Sequence, residues 1–388
     1  MKYDFDELID RRGTGCVKWD ESPREGMDHV SDLIPLWVAD MDFKAAPAIL
    51  EAVRRRAEHG VFGYTVVEEE YYEAVINWFQ RRHNWRIHRE EILYTTGVVP
   101  AMSVAVKALT MPGEKVLILS PDYNCFFSSI RNTGCEVSES VLLCGSEKRF
   151  EVDWNDFEAR CADDKCTVFL LCNPHNPTGR VWTREELQRM ADICHHHNVR
   201  IISDEIHCEL IMPGHAFVPM GTVTPEAVVL NSPSKAFNIA GLQIANIICT
   251  DAATRRRIDR AININEVCDV NPFGPVALQA AYNHSEAWLD ALNLYLYDNY
   301  TALCHFVTQH LPQWRVTPLE GTYLAWVDVT ACTNSVDDYC QRLLREAHVW
   351  LNPGTMYGKK SGEGYLRINL ACPRALLIEG LQRIASLP

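Results

Sequence analysis

Five short runs of almost exclusively apolar residues recur along the middle of the chain, and they constrain its fold more than any other feature. The runs are KVLILS (115–120), CTVFLLC (166–172), VRIIS (199–203), AVVLNS (227–232) and ANIICT (245–250). Apolarity that is continuous rather than alternating is typical of strands buried on both faces of a sheet. The intervening segment TREELQRMADICHHH begins with a capping box, Thr183 and Glu186, and carries apolar residues at helical spacing. Strand–helix–strand alternation of this kind predicts a mostly parallel α/β sheet.

The pattern changes beyond about residue 275, where long amphipathic stretches flank two short strand-like segments, GTYLAWVDV and GYLRINL. This texture predicts a second, smaller α+β domain. A length of 388 residues suits two or three domains. We expect a large α/β domain over 45–275 and a small α+β domain formed by 1–44 plus 276–388.

Charge and composition exclude several classes of partner. The formal net charge of −14 argues against nucleic acid or an anionic membrane, because both require clustered cations. We find no run near the roughly 18 apolar residues that a membrane span requires, and the charged N-terminus does not resemble a signal peptide. The fifteen cysteines are scattered and many lie in apolar segments, which favours reduced thiols and a cytoplasmic location.

Metal-binding spacing is also lacking in the sequence. There is no C-x-x-C pair, and the single metal-like cluster, CHHHN at 194–198, falls at the end of an amphipathic helix. A solvated helix end is the simpler interpretation, so no metal site is expected.

Polar residues follow the apolar runs at the points where the strands should end. Gly97 marks a turn into a helix whose free N–H groups would bind an anion. Ligands of open α/β sheets bind beyond the carboxyl ends of the strands. The residues brought to this edge are Gly97, Val98, Val99, Asn173, Asn176, Asp204, Glu205, His207, Ser232, Ser234 and Lys235. A molecule with a phosphate, a cationic ring nitrogen and a carbonyl would satisfy them, and pyridoxal 5′-phosphate (PLP) has all three.

Three motifs resemble those of the fold-type-I aminotransferase superfamily. They are Asn-Pro-Thr-Gly at 176–179, Asp204, and Ser-x-Ser-Lys at 232–235. The resemblance runs from WVADMDF to GYLRINLACPR, and it implies a PLP-dependent transferase-like fold with PLP as cofactor. Each motif alone is weak, since Asn-Pro-Thr-Gly is also a common turn; their order at strand ends carries the inference.

The resemblance implies a role for each residue near the cofactor ring. Lys235 would carry the cofactor covalently through its amine, and Asp204 would pair with the ring nitrogen. Asn176 would hydrogen-bond the phenolic oxygen, Tyr123 would stack on the ring, and His207 would also contact the cofactor. Lys235, Asp204 and Tyr123 would be catalytic. Partial burial lowers a lysine pKa towards the neutral form that this chemistry needs, and a protonated ring nitrogen is an electron sink.

The resemblance also implies how the phosphate and the substrate are bound. The phosphate would be held by Gly97, Val98, Val99, Ser232 and Ser234. Tyr64 would reach the phosphate of the neighbouring subunit, which implies a homodimer with shared active sites. Arg367 would bind the substrate α-carboxylate, a bidentate task that suits arginine, and Asn176 and Tyr64 would contribute to the substrate site. The simpler alternatives are a surface loop for Lys235, a helix cap for Asp204 and a surface ion pair for Arg367.

Other segments favour one branch of the superfamily. His175 precedes the Asn-Pro-Thr-Gly motif, His207 stands where aminotransferases commonly have tyrosine, and Gln243 stands where many relatives have a phosphate-binding arginine. Together RRGTGCVKWD, LWVADMDF, DEIH and SPSKAFNIAGLQ resemble the cystathionine β-lyase type of C–S lyase.

This resemblance implies cleavage of L-cystathionine, or of another cysteine S-conjugate, to a thiol such as homocysteine, pyruvate and ammonia. Lys235 would remove the Cα proton, and Lys235 or Tyr123 would protonate the leaving thiolate. Two alternatives stay open: a PLP-dependent aminotransferase, and a regulatory or binding protein on the same fold.

Overall fold

The apolar runs form the centre of a seven-stranded sheet in the computed structural model, which describes residues 3–21, 32–145, 147–264 and 269–387. In these ranges the strands are β1 (Ile34–Pro35), β2 (Ile92–Thr95), β3 (Lys115–Ser120), β4 (Glu136–Val141), β5 (Leu143–Cys144), β6 (Phe150–Glu151), β7 (Cys166–Cys172), β8 (Arg200–Asp204), β9 (Val228–Asn231), β10 (Ala245–Ile248), β11 (Arg315–Val316), β12 (Leu324–Asp328), β13 (Val349–Trp350), β14 (Asn352–Pro353) and β15 (Tyr365–Asn369).

Helices cover the sheet and precede or follow most of its strands. In the same ranges they are α1 (Val17–Asp20), α2 (Pro47–Glu58), α3 (Glu69–His83), α4 (Val98–Leu109), α5 (Asn124–Asn132), α6 (Trp154–Cys161), α7 (Arg184–His196), α8 (Ala252–Asn263), α9 (Phe273–His284), α10 (Glu286–His310), α11 (Val336–Arg342) and α12 (Arg374–Ala385). Short 3-10 turns lie at Arg89–Glu91, Met220–Thr222, Ala240–Leu242 and Gly354–Tyr357, and a π-helical turn at Leu343–Ala347.

The strand order of the large sheet is β2-β10-β9-β8-β7-β3-β4. Strands β4, β3, β7, β8 and β9 pair in parallel, and β10 runs antiparallel to both of its neighbours. All residues of β9 and β10 are buried, as are the last five of β7. The prediction of a mostly parallel α/β sheet is therefore confirmed: the runs at 115–120 and 166–172 are strands with the predicted bounds, and the other three runs shorten or shift by one or two residues.

Two helices begin where the sequence predicts them to begin. Helix α7 begins with the capping box, in which Thr183 accepts a hydrogen bond from the Glu186 N–H and the Glu186 carboxylate accepts one from the Thr183 N–H. At its other end His195 and His196 are exposed, as expected of a solvated helix end. Helix α4 starts directly after Gly97 with Pro100 in its first turn, so its N-terminus meets the carboxyl edge of the sheet.

A four-stranded sheet of order β11-β12-β15-β14 forms in the C-terminal part of the chain, and β1 pairs in parallel with β13. Ile34 and Pro35 thus pair with a strand of the C-terminal part of the chain. The predicted boundary at 275–276 lies within α9, so the limits of the two domains stay a prediction. No helix of the described residues combines the length and the apolar character needed to cross a membrane.

Candidate active site

A cavity of ≈ 280 Å³ lies at the carboxyl edge of the central strands. The paired residues Cys172 of β7 and Asp204 of β8 end their strands side by side on its wall. The loop after β9 and the start of α4 close the other sides. Its lining consists of Ala39, Thr96, Gly97, Val98, Val99, Pro100, Tyr123, Cys172, Asn176, Asp204, Ile206, His207, Ser234, Lys235, Ala240, Gln243 and Ile244.

Lys235 places its amine in this cavity. Its Nζ donates a hydrogen bond of 2.6 Å to the carbonyl oxygen of Ala39, which reaches the site from the N-terminal part of the chain. Burial lowers the pKa of Lys235, the positive charge of Arg367 lowers it further, and the carboxyl groups of Asp40 and Asp204 oppose them. The amine is therefore neutral for a larger fraction of the time than a surface lysine, as a nucleophile or base requires.

Asp204 is the carboxyl group of the same cavity. It is buried, and burial raises its pKa from 3.8 to about 7 in spite of the hydrogen bond of 3.1 Å that its Oδ1 accepts from the Ile206 N–H and the positive charge of Lys235. A buried carboxyl group gains most from a cationic partner, because only an opposite charge offsets the loss of water. Asp204 is thus suited to a protonated ring nitrogen.

The first turn of α4 supplies the anion-binding end of the cavity. Gly97 precedes the helix without a side-chain cap, so the first N–H groups, including those of Val98 and Val99, have no capping side chain. Gln243, which also lines this cavity, is exposed and adopts a left-handed backbone with φ of 50°. Within the described part of the chain, Lys235 is the one lysine or arginine on the cavity wall. A phosphate here would be bound mainly by N–H groups.

The two serines of the Ser-x-Ser-Lys motif have different surroundings. Ser234 lines the cavity. Ser232 does not: its hydroxyl donates a hydrogen bond of 2.6 Å to the carbonyl of Ile244 and accepts one of 3.0 Å from the Ser234 N–H. Ser232 therefore shapes the loop that carries Lys235, and the structure does not bring it to the predicted phosphate position.

Arg367 lies behind the cavity wall rather than on it. It is 4% exposed, and it donates hydrogen bonds of 3.1 Å to Asn176 Oδ1 and 3.0 Å to the carbonyl of Trp37. Its Nε is buried without a hydrogen-bond partner in the described residues, and its guanidinium lies 4.6 Å from the ring centre of Tyr357. The surface ion pair that sequence alone left open is excluded for Arg367. Because Asn176 lines the cavity, Arg367 holds the group that faces it.

Tyr123 and His207 complete the predicted set on the wall. Burial raises the pKa of Tyr123 well above 10, so its phenol keeps its proton. Burial, with the charges of Lys235 and Arg367, lowers the pKa of His207 to about 3, so its ring is neutral. The Nδ1 atom of His207 is buried and lacks a hydrogen-bond partner among the described residues. His207 thus offers one unused polar atom beside the cavity.

Tyr64 lies elsewhere: its side chain is 97% exposed, and it is not part of the cavity of its own chain. Sequence reasoning had missed Ala39, whose carbonyl also accepts a hydrogen bond of 2.8 Å from the Tyr323 hydroxyl. Its segment, LWVADMDF, carried the resemblance, but a backbone carbonyl has no side-chain signal by which to find it.

The polar groups of this cavity match three parts of PLP. The amine of Lys235 suits an aldehyde, the buried carboxyl of Asp204 suits a cationic ring nitrogen, and the start of α4 suits a phosphate. The buried Nδ1 of His207 has no hydrogen-bond partner among the described residues, so it can bond to a molecule in the cavity.

The model for the family "Aminotransferase class I and II" matches residues 31–384. The chain belongs to this family. The chain is 38% identical over 384 residues to the protein named cystathionine beta-lyase PatB of Bacillus subtilis (strain 168), with 98% of each covered. It is 34% identical over 388 residues to Protein MalY of Escherichia coli (strain K12), with 98% of this chain and 97% of that protein covered.

A solved structure agrees with this placement. The crystal structure of cystalysin from Treponema denticola, which contains PLP, has a TM-score of 0.95 and 33% identity, with 99% of this chain and 98% of that chain covered. The resemblance to the fold-type-I superfamily and to its C–S lyase branch is therefore confirmed, and so is the PLP-dependent transferase-like fold.

Proposed function

We propose that this protein is a PLP-dependent carbon–sulfur β-lyase that cleaves L-cystathionine or a related cysteine S-conjugate to a thiol, pyruvate and ammonia. The observation that carries the proposal is the cavity that holds the amine of Lys235, the buried carboxyl of Asp204 and the start of α4. The branch follows from relatives named cystathionine beta-lyase at 30–38% identity along nearly the full chain.

Two residues move the protons of this reaction. Bound PLP supplies an electron sink for the electrons left at Cα. Lys235, whose lowered pKa keeps part of its amine neutral, removes the Cα proton as general base. The phenol of Tyr123 keeps its own proton because its pKa is raised. It donates this phenolic proton to the sulfur as the C–S bond breaks, and protonated Lys235 can also donate a proton to the sulfur.

Two further residues orient the reacting groups. The carboxylate of Asp204 keeps the cofactor's ring nitrogen protonated by pairing with it. In this proposal Arg367 binds the substrate α-carboxylate by giving up its hydrogen bond to Asn176 or to the Trp37 carbonyl, and its Nε–H, which has no partner among the described residues, contributes as well. The neutral ring of His207 fills the wall without adding a charge that would oppose Lys235.

The active unit in this proposal is a homodimer in which Tyr64 of each subunit contacts the phosphate of the other. The exposure of Tyr64, and of Phe62 and Val66 nearby at 55% and 80%, supports a partner surface at this segment. Residues 45–275 and 1–44 plus 276–388 are its two domains. A cytoplasmic location agrees with the fourteen described cysteines, all of which are free thiols.

The test is a panel of S-substituted cysteines, including L-cystathionine, given to the PLP-loaded protein without any keto acid. The lyase releases thiol and pyruvate in equal amounts and continues for many turnovers. A protein that acts only when a keto acid is supplied, and forms no thiol, is an aminotransferase instead. A protein that binds amino acids but forms neither product is a binding protein.

A further inference from the structure

His83, Cys208 and Glu209 converge on one wall of a second cavity of ≈ 640 Å³, separate from the active-site cavity. One ligand atom of each lies within 4.8 Å of the others. The imidazole Nε2 of His83 lies 2.6 Å from Glu209 Oε1, and the Sγ of Cys208 lies 3.7 Å from the same oxygen. An imidazole, a thiol and a carboxylate are the three side-chain types that bind zinc in proteins.

The spacing of these atoms is close to that of a tetrahedral zinc site. With Zn–S near 2.3 Å and Zn–O near 2.1 Å, a sulfur and an oxygen ligand lie about 3.6 Å apart, and a nitrogen and an oxygen ligand about 3.4 Å apart. The sulfur–oxygen separation already has this value. The nitrogen–oxygen separation must widen by roughly 0.8 Å, which requires a small rotation of the His83 side chain, placed at the last residue of α3 and 8% exposed.

The neighbours of the cluster hold its ligands in place. Trp78 donates an indole N–H to Glu209 Oε1 at 2.6 Å, and the Asn231 amide donates to Cys208 Sγ at 3.2 Å. Glu209 is 4% exposed, yet its Oε2 is buried without a hydrogen-bond partner in the described residues. Donors that orient metal ligands from outside are typical of built metal sites. Trp78 and Asn231 hold the proposed ligand atoms Oε1 and Sγ in this way, and Oε2 is a second carboxylate oxygen beside them.

Two arginines, Arg81 and Arg82, line the same cavity, and Arg82 lies beside Glu209. The Nε of Arg82 lies 3.6 Å from Glu209 Oε2, beyond hydrogen-bond distance. The same guanidinium pairs at 3.2 Å with Glu286 and at 2.9 Å with Asp290, both on the rim of the cavity. Glu286 also pairs with Arg81 at 3.0 Å, so two arginines share these two carboxylates. A cation that enters from the cavity would share Glu209 with Arg82.

We propose that His83, Cys208 and Glu209 bind one Zn²⁺ ion per chain, with the fourth position open to the cavity and filled by water. Three protein ligands and one open position are a known zinc arrangement. No sequence motif indicates this site, because His83 and Glu209 are 126 positions apart. The cluster adjoins the active site through the peptide that links His207 to Cys208, but the proposal does not depend on the lyase reaction.

Zinc binding is measured on the PLP-loaded protein, freed of metal, by competition with a chromophoric chelator. We expect one tight equivalent of Zn²⁺ in the wild type and an affinity at least about tenfold weaker in His83→Gln and in Cys208→Ser. His284→Gln, an exposed histidine at the end of α9, and Cys304→Ser, a half-buried cysteine of α10, are the matched controls and should bind like the wild type. Equal affinity in all five proteins would overturn the proposal.

Cobalt provides a readout of the ligand type. Co²⁺ in the wild type should give the sulfur-to-metal charge-transfer absorption of a thiolate ligand, which Cys208→Ser should lose. The melting temperature and the cofactor absorbance of each variant report whether it is folded. If Cys208→Ser does not fold, His83→Gln decides the question. The site is contradicted if His83→Gln keeps the thiolate band and binds the metal as tightly as the wild type, or if the wild type shows no thiolate band.

Discussion

The side-chain amine of Lys235 donates a hydrogen bond of 2.6 Å to the carbonyl oxygen of Ala39, which lies 196 positions earlier in the chain. Tyr323 donates to the same oxygen at 2.8 Å, and Asn369 holds the flanking carbonyls of Val38 and Asp40 at 2.6 and 2.7 Å. The N-terminal segment is thus fixed by the C-terminal part of the chain and in turn positions the amine. A backbone carbonyl accepts a hydrogen bond from the neutral amine as well as from the protonated one. This contact therefore orients Lys235 without requiring the amine to be protonated.

Replacing Lys235 with alanine should abolish turnover, because the variant lacks both the amine that binds the cofactor covalently and the base that removes the Cα proton. We expect a loss of at least about 10²–10⁴-fold in pyruvate release from L-cystathionine. Lys107→Ala, at the exposed end of α4, is the control and should be fully active. Borohydride reduction followed by peptide mapping should label Lys235 in the wild type; a label on another lysine, or near-normal activity of the variant, would show the assignment to be wrong.

Asp204→Asn should lower kcat by about 10²–10³-fold, since asparagine cannot stabilise a protonated ring nitrogen electrostatically. The Lys235 linkage is unaffected, so the variant should still acquire the absorbance of bound cofactor. Asp192→Asn, an exposed aspartate of α7, controls for the loss of a charge. A variant with wild-type kcat would remove Asp204 from the mechanism.

The same substitution should change the pH dependence of stability in the cofactor-free protein. Burial raises the pKa of Asp204 from 3.8 to about 7, so the folded state keeps a proton that the unfolded chain loses. The resulting stabilisation is complete below about pH 4 and is lost as the pH rises through about 7. Asp204→Asn lacks this loss, so its Tm relative to the wild type should increase between about pH 4 and about pH 7. Glu205, whose pKa is raised to about 8 chiefly by burial, is common to both proteins, and the substitution changes its titration only through the smaller effect of the Asp204 charge. A constant difference in Tm would contradict the raised pKa.

The elements of the large sheet were predictable from sequence because burial on both faces leaves a direct record in consecutive apolar residues. Strand direction leaves no such record: ANIICT is as apolar as the other runs, yet β10 is antiparallel. Its direction depends on the tight turn after Ala240–Leu242, in which Gln243 adopts φ of 50°.

The site was predictable where strand ends dictate proximity, as for Asp204 and Lys235, and unpredictable where it depends on long-range hydrogen bonds. The bond from Arg367 to the Trp37 carbonyl joins residues 330 positions apart, and no local pattern indicates it. Ser232 shows that a sequence motif alone does not determine which group a side chain contacts. The resemblance implied a phosphate contact for Ser232, but its hydroxyl donates a hydrogen bond to the carbonyl of Ile244.

Arg367→Lys should weaken the binding of substrates through their α-carboxylate. A lysine keeps the charge but loses the planar fork and both existing bonds to Asn176 and Trp37. A hydrogen bond between charged groups contributes about 1.5–3 kcal/mol, so kcat/KM should fall at least about tenfold, mostly through KM. Arg160→Lys, on the exposed face of α6, is the matched control. If KM is unchanged in Arg367→Lys, the carboxylate is bound by another group.

Tyr64 allows the shared active site to be tested by complementation. Its hydroxyl is fully available on the surface of one chain, so its proposed role requires the cavity of a partner. Lys235→Ala and Tyr64→Ala homodimers should each be inactive at limiting PLP, the first without its base and the second with weakened phosphate binding. In a refolded equal mixture, half of the dimers are heterodimers, and each carries one site with both residues intact and one site with neither. Activity should therefore return to about a quarter of the wild-type value. If Tyr64 instead acted within its own chain, each site would still lack one residue and the mixture would stay inactive; a Tyr64→Ala protein of full activity at limiting PLP would remove Tyr64 from the site altogether.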